Sequence, residues 1–164
     1  MKTKFLFSLF LLVFFLGCSG YEFTYSKDPK IKEVEKRVVF VVAGNDTTLA
    51  KIKLIEALGR PENDPIFFLN VDITKTNTPI VIEKDATVSK SEIGHSIKYS
   101  FGKLESGCEI FTKNISTKST YSSSSSGYSF STDLSEEKII VNNLVQNIDE
   151  LLDYIISFQE PLDC

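Results

Sequence analysis

The 164-residue sequence contains no tryptophan, a single histidine, one methionine and only three cysteines. One imidazole excludes a metal centre built on several histidines, and it leaves any Ser-His-Asp arrangement resting on His95 alone. No glycine-rich phosphate loop, Cys-x-x-Cys pair or nucleophile elbow is present. Basic side chains are outnumbered, 18 Lys+Arg against 22 Asp+Glu with a formal net charge of -4, so the chain sets up no general field that would draw in nucleic acid. Carboxylates are plentiful, but the sequence alone does not show any two of them facing each other in a pocket, as glycoside hydrolysis requires. The expectation is a protein that is not an enzyme, with no cofactor, no metal and no nucleic-acid partner. No tandem repeat of about 20 to 50 residues is visible either. What is present, 42% hydrophobic and 24% charged residues, is the composition of a single globular domain.

The one long apolar run lies at the N-terminus. Lys2 and Lys4 precede Phe5 to Leu16, FLFSLFLLVFFL, which is shorter than the ~20 apolar residues of a membrane-spanning helix but fits the h-region of an export signal. Phe15-Leu16-Gly17-Cys18 then resembles the lipobox of bacterial lipoproteins, in which cleavage precedes an acylated cysteine. Removing the first 17 of 164 residues leaves 147 and, with two lysines gone, shifts the formal charge from -4 to -6. Two or more acyl chains on Cys18 would hold the domain stably, because each buried methylene contributes roughly 0.8 kcal/mol and a single chain binds only marginally. Export permits disulfides, so Cys108 and Cys164 form one candidate pair.

Residues 18–32 read as an acylated tether, 33–160 as the folded domain and 161–164 as a tail. Val34 to Ala43 is a short β-branched run bounded by Gly44, consistent with a strand buried on both faces. Asn45-Asp46-Thr47 offers N-cap chemistry to a helix over Thr48 to Leu58, stopped by Gly59 and Pro61. Period-two alternation marks Ile66 to Thr74 and Ile97 to Phe101, with Ile80-Val81-Ile82 either continuing the first strand or forming another. Cys108 to Tyr121 is a polar, one-sided strand, and Tyr121 to Tyr128 is a serine-rich loop. Asp133 and Glu136 have capping-box spacing ahead of a helix of about 24 residues. Its stripe is Val141, Leu144, Val145, Ile148, Leu152 and Ile155, opposite a polar face that includes Asn142, Asn143 and Asp149. Strand, helix, several strands and helix together predict a two-layer α+β sandwich.

The candidate contact residues are lysines. Lys75, Lys84, Lys90, Lys98, Lys113 and Lys118 fall on or between the strands among Ser and Thr, a set able to engage phosphate or carbohydrate, or else simply a solvated face. His95 reads as a surface or inter-strand histidine rather than a catalytic one. Glu136 and Glu137 read as complementing the helix dipole.

The mature chain resembles the LptE family of lipopolysaccharide-assembly outer-membrane lipoproteins. The likeness lies in the lipobox cysteine followed by Gly20-Tyr21-Glu22-Phe23, a first strand ending near Val42, a short helix, strand pairs including Ala86 to Phe101, and Tyr128-Ser129-Phe130 running into the helix from Asp133. This resemblance implies two helices packed on a mixed, about four-stranded β-sheet, anchored through Cys18 on the periplasmic side of the outer membrane. It also implies LptD, a large outer-membrane β-barrel, as the partner to be plugged and assembled, and lipopolysaccharide as the ligand. Lys90 falls where the family places a basic lipid-contacting residue. Asp133 stands at the second basic position, with Lys138 the nearest substitute, and Lys98 completes the candidate set. A carbohydrate- or envelope-protein-binding module unrelated to this family is the alternative.

Overall fold

A computed structural model describes residues 28–82, 88–122 and 129–162, excluding the side chains of 88, 89 and 129–133. The expected lipidation site Cys18, the signal segment, most of the tether, Lys84, Ala86, Tyr128 and Cys164 therefore lie outside the described residues.

Seven elements follow one another: α1 (Pro29–Val34), β1 (Val38–Gly44), α2 (Thr47–Leu58), β2 (Phe67–Ile82), β3 (Val88–Lys103), β4 (Glu109–Ser122) and α3 (Ser129–Ser157). The sheet runs in the order β1-β2-β3-β4, with β1 parallel to β2 and the remaining pairs antiparallel. The fold is α+β with a mixed four-stranded sheet, as expected, but the described residues form three helices where two were expected. The additional helix, α1, starts inside the stretch read as tether. Asp28 caps it by accepting from the Lys30 N–H at 2.8 Å, Pro29 occupies its start, and it buries Ile31 and Val34.

The strands are long because their inward parity is apolar. Phe67, Leu69, Val71 and Ile73 of β2 and Ile97, Tyr99 and Phe101 of β3 are almost fully buried. Phe67, Phe101 and Phe111 stack across three strands with ring centroids 5.0 and 5.2 Å apart, and Tyr154 of α3 meets Phe111 edge-on at 5.1 Å. Ile80-Val81-Ile82 continues β2 past bulges after Pro79.

Three expectations need correction. β1 is not buried on both faces: it is the sheet's edge, and Val41 is 55% exposed. The last helix begins at Ser129, so Asp133 lies within it and is not its cap. Its buried stripe omits Val145, which is 38% exposed, and includes Leu151, Asn143 and Asn147. Gly44 ends β1 at φ 93°, where a Cβ would collide with the Ile73 carbonyl, so only glycine closes this corner.

Candidate interaction surface

The helices cover one side of the sheet, and strand alternation sends the other set of side chains to solvent. Across β2–β4 that open face is a grid of short polar groups in register, while β1 adds the exposed Val41 beside Asn70. Asn70, Ser100 and Thr112 share one rung, Asp72, Lys98 and Asn114 the next, then Thr74, Ser96 and Ser116. Neighbouring hydroxyls bond each other: Ser116 donates to Ser96 at 3.1 Å, Ser100 and Thr112 are 3.0 Å apart, and Thr112 donates to Glu109 at 2.6 Å. Lys118 pairs with Glu92 at 3.1 Å. The result across β2–β4 is a polar wall with charges of both signs, suited to hydrogen bonding against another polar surface.

The lysines singled out from sequence do not converge. Lys98 lies exposed at the centre of the open face, and Lys90 lies exposed near the far end of the same strand. Eight residues separate them, about 27 Å at ~3.4 Å per residue. Lys138 is exposed on α3, in the other layer. Lys75 points to the helix side and lies 3.7 Å from the Asp46 carboxylate, while Lys113 sits over the Tyr154 ring at 4.6 Å. Cys108 is disulfide-bonded; Cys164, its expected partner, lies outside the described residues.

On the helix side, sequence reasoning missed a buried polar seam. Tyr99 donates to Asn147 Oδ1 at 2.9 Å, and Asn147 Nδ2 donates to the Ile115 carbonyl at 3.2 Å. Asn143 donates to the Ile93 carbonyl at 3.0 Å and receives the Ser119 hydroxyl at 2.6 Å, while Thr117 donates to the Asn143 carbonyl at 3.1 Å. Burial pushes the Tyr99 phenol far above its usual range, with the Glu150 carboxylate adding to the effect, so it remains a donor. The Asn143–Asn147 spacing of four residues amid Leu144, Ile148 and Leu151 was the available signal.

His95, read as a surface or inter-strand residue, lies inside: it belongs to β3, with its side chain on the helix side. It is 1% exposed, its Nε2 lies 3.1 Å from Asp46 Oδ2, and its Nδ1 has no hydrogen-bond partner among the described residues. Its inward parity with Ile97, Tyr99 and Phe101 was legible in the strand pattern. Asp46 consequently does not cap α2 through its side chain; it stands in the left-handed region at φ 49° and turns to the sheet. Glu136, expected as a helix cap, accepts from the Tyr121 hydroxyl at 3.3 Å.

An open hollow of about 950 Å³ lies at the end where β1 begins, lined by Arg37, Glu62, Asp64, Lys103 and Glu105 among others. This mixture of cations and carboxylates does not favour an anionic ligand.

No family model matches the chain, and no curated protein matches it. Solved structures do. A Caulobacter crescentus CB15 protein, provisionally named a lipoprotein, superposes with a TM-score of 0.65 at 13% identity, over 80% of this chain and 98% of that one. A minor lipoprotein from Acinetobacter baumannii gives a TM-score of 0.57 at 13% identity, over 78% and 96% of the two chains. Lipoprotein B from Nitrosomonas europaea gives 0.56 at 11% identity, over 74% and 83%. At these identities the shared property is the fold, and it recurs in chains that are named as lipoproteins.

Proposed function

We propose that this chain is an LptE-like lipoprotein, acylated at Cys18, that seats in and helps assemble an LptD-type β-barrel of the outer membrane and binds lipopolysaccharide on its way to the outer leaflet. It works by contact and catalyses no reaction. One observation carries the reading: the fold is that of proteins named as lipoproteins, over nearly their whole length, in a chain whose own N-terminal sequence reads as an export signal followed by a lipobox-like Phe15-Leu16-Gly17-Cys18. The open sheet face supports it physically. The lumen of such barrels is polar, and a wall of serine, threonine and asparagine can exchange its water contacts for hydrogen bonds to the lumen.

The test is purification of the acylated protein from its native envelope in mild detergent. A stoichiometric outer-membrane β-barrel of much larger mass is the expected companion; recovery without any barrel would overturn the proposal. Depletion of the protein should reduce lipopolysaccharide at the cell surface. Unchanged surface lipopolysaccharide would instead favour the carbohydrate- or envelope-protein-binding alternative, for which the hydroxyl-rich sheet face is the supporting feature. Because Lys90, Lys98 and Lys138 are dispersed, we further propose that they touch an extended anionic ligand at separate points, each contributing a modest, salt-screened share.

A further inference from the structure

The apolar core occupies only one end of the domain. Its outer boundary is the rung Ile73–Ile97–Ile115, with Leu144 of α3 above it. β2 continues past that rung from Thr74 to Ile82, nine residues that extend about 30 Å at ~3.4 Å each. β1 stops opposite Ile73, and only Asn45 prolongs the pairing, by donating its N–H to the Ile73 carbonyl and accepting the Lys75 N–H on its side chain, both at 3.0 Å. Among the described residues of this distal half, the large apolar side chains fully buried are Ile93 and Tyr121, neither of which belongs to the main core cluster, and Ile140 of α3 is only partly buried against that cluster.

The helix layer is held to this half chiefly by polar bonds. Asn143 bonds to Ile93, Thr117 and Ser119, Glu136 receives Tyr121, and Asp46 meets His95. Separating these groups exchanges each bond for one to water at small net cost, whereas parting the aromatic and aliphatic core exposes hydrocarbon. The buried, unpartnered Nδ1 of His95 lowers the cost of opening further, since water would satisfy it.

We infer that the domain opens in two stages: the distal half, comprising α3 from Leu134 to Asn143 and the strand segments beyond the isoleucine rung, opens as a unit while the proximal core stays closed. This goes beyond the proposed function and does not depend on a barrel partner. Such an opening gives an assembly factor a half that a partner can remodel without unfolding the rest.

Native-state hydrogen exchange on the full acylated chain in detergent micelles tests it, and β3 supplies its own control because it is paired on both sides throughout. Amides from Ser91 to His95 should exchange at least about 100-fold faster than those from Ile97 to Phe101, through an opening with a smaller dependence on denaturant. Asn143→Ala should accelerate the distal amides about tenfold and leave the proximal ones unchanged, and Tyr121→Phe should do the same more weakly. Equal protection and equal denaturant dependence in the two segments, or acceleration of both by either substitution, would overturn the inference.

Discussion

Tyr99 and Asn147 show how a buried hydrogen bond constrains single residues. The phenol has no water to fall back on, and its partner Asn147 is itself fully buried. Tyr99→Phe should destabilise the domain by about 1–3 kcal/mol, because the Asn147 oxygen loses its donor. Asn147→Leu should cost more, since the Tyr99 hydroxyl and the Ile115 carbonyl are both left unsatisfied. The double variant should cost less than the sum, by roughly 0.5–3 kcal/mol of coupling in urea unfolding; strict additivity would show that the pair does not act as a unit. The four-residue spacing of Asn143 and Asn147 amid Leu144, Ile148 and Leu151 was a faint signal that both turn inward, but it could not name their partners, because the carbonyls that satisfy them come from Ile93 and Ile115 on distant strands. The inward position of His95 was legible by counting back in twos from Phe101, but its meeting with Asp46 depended on where α2 begins.

At the scale of elements, periodicity was a good guide where an element buries a full face and a poor one where it does not. The β2 and β3 alternation and the stop of α2 at Gly59, whose N–H returns to the Ile55 carbonyl at 2.9 Å, were readable. α1 was not, because six residues are too few to show a helical period; Asp28-Pro29, a cap followed by a helix-starting proline, was its only mark. On α3, partial burial raises the Asp149 carboxylate above its ordinary range, and the neighbouring Asp153 adds repulsion. A raised folded-state value means that ionisation disfavours the fold: the stability contributed by protonated Asp149 is present at low pH and is lost as pH rises through that value. Asp149→Asn should therefore raise the melting temperature at neutral pH, by a few tenths of a kcal/mol for so partly exposed a site. The gain should vanish as pH falls below the carboxylate range. A pH-independent gain would point to helix propensity instead.

For the whole molecule, the decisive feature is the separation of roles between ends and faces. The apolar core and α1 share one end, the polar half projects from it, and the open face runs the length of the sheet. If Cys18 carries the acyl chains, Cys18→Ala should move the protein from the membrane pellet to the soluble fraction, and fatty-acid labelling should be lost with it. Continued sedimentation with membranes would show that another surface holds it there. The solved structures that share this fold do so at 11–13% identity, so the likeness lies in the arrangement of elements and not in shared side chains.

The order of β1, α2, the later strands and α3, and the alternating faces of β2 and β3, were readable in the sequence by itself, because each is written in spacing along the chain; the expected export signal and acylation site lie outside the described residues. Only the tertiary structure decided that β1 is an edge, that Asn143 and Asn147 find buried partners on the strands, and that His95 meets Asp46. It also decided that Lys90, Lys98 and Lys138 stand apart and that the apolar core stops at the isoleucine rung. These depend on which segments meet across the sheet and the helix layer, and hydrogen bonds between partners dozens of residues apart leave no local period to read.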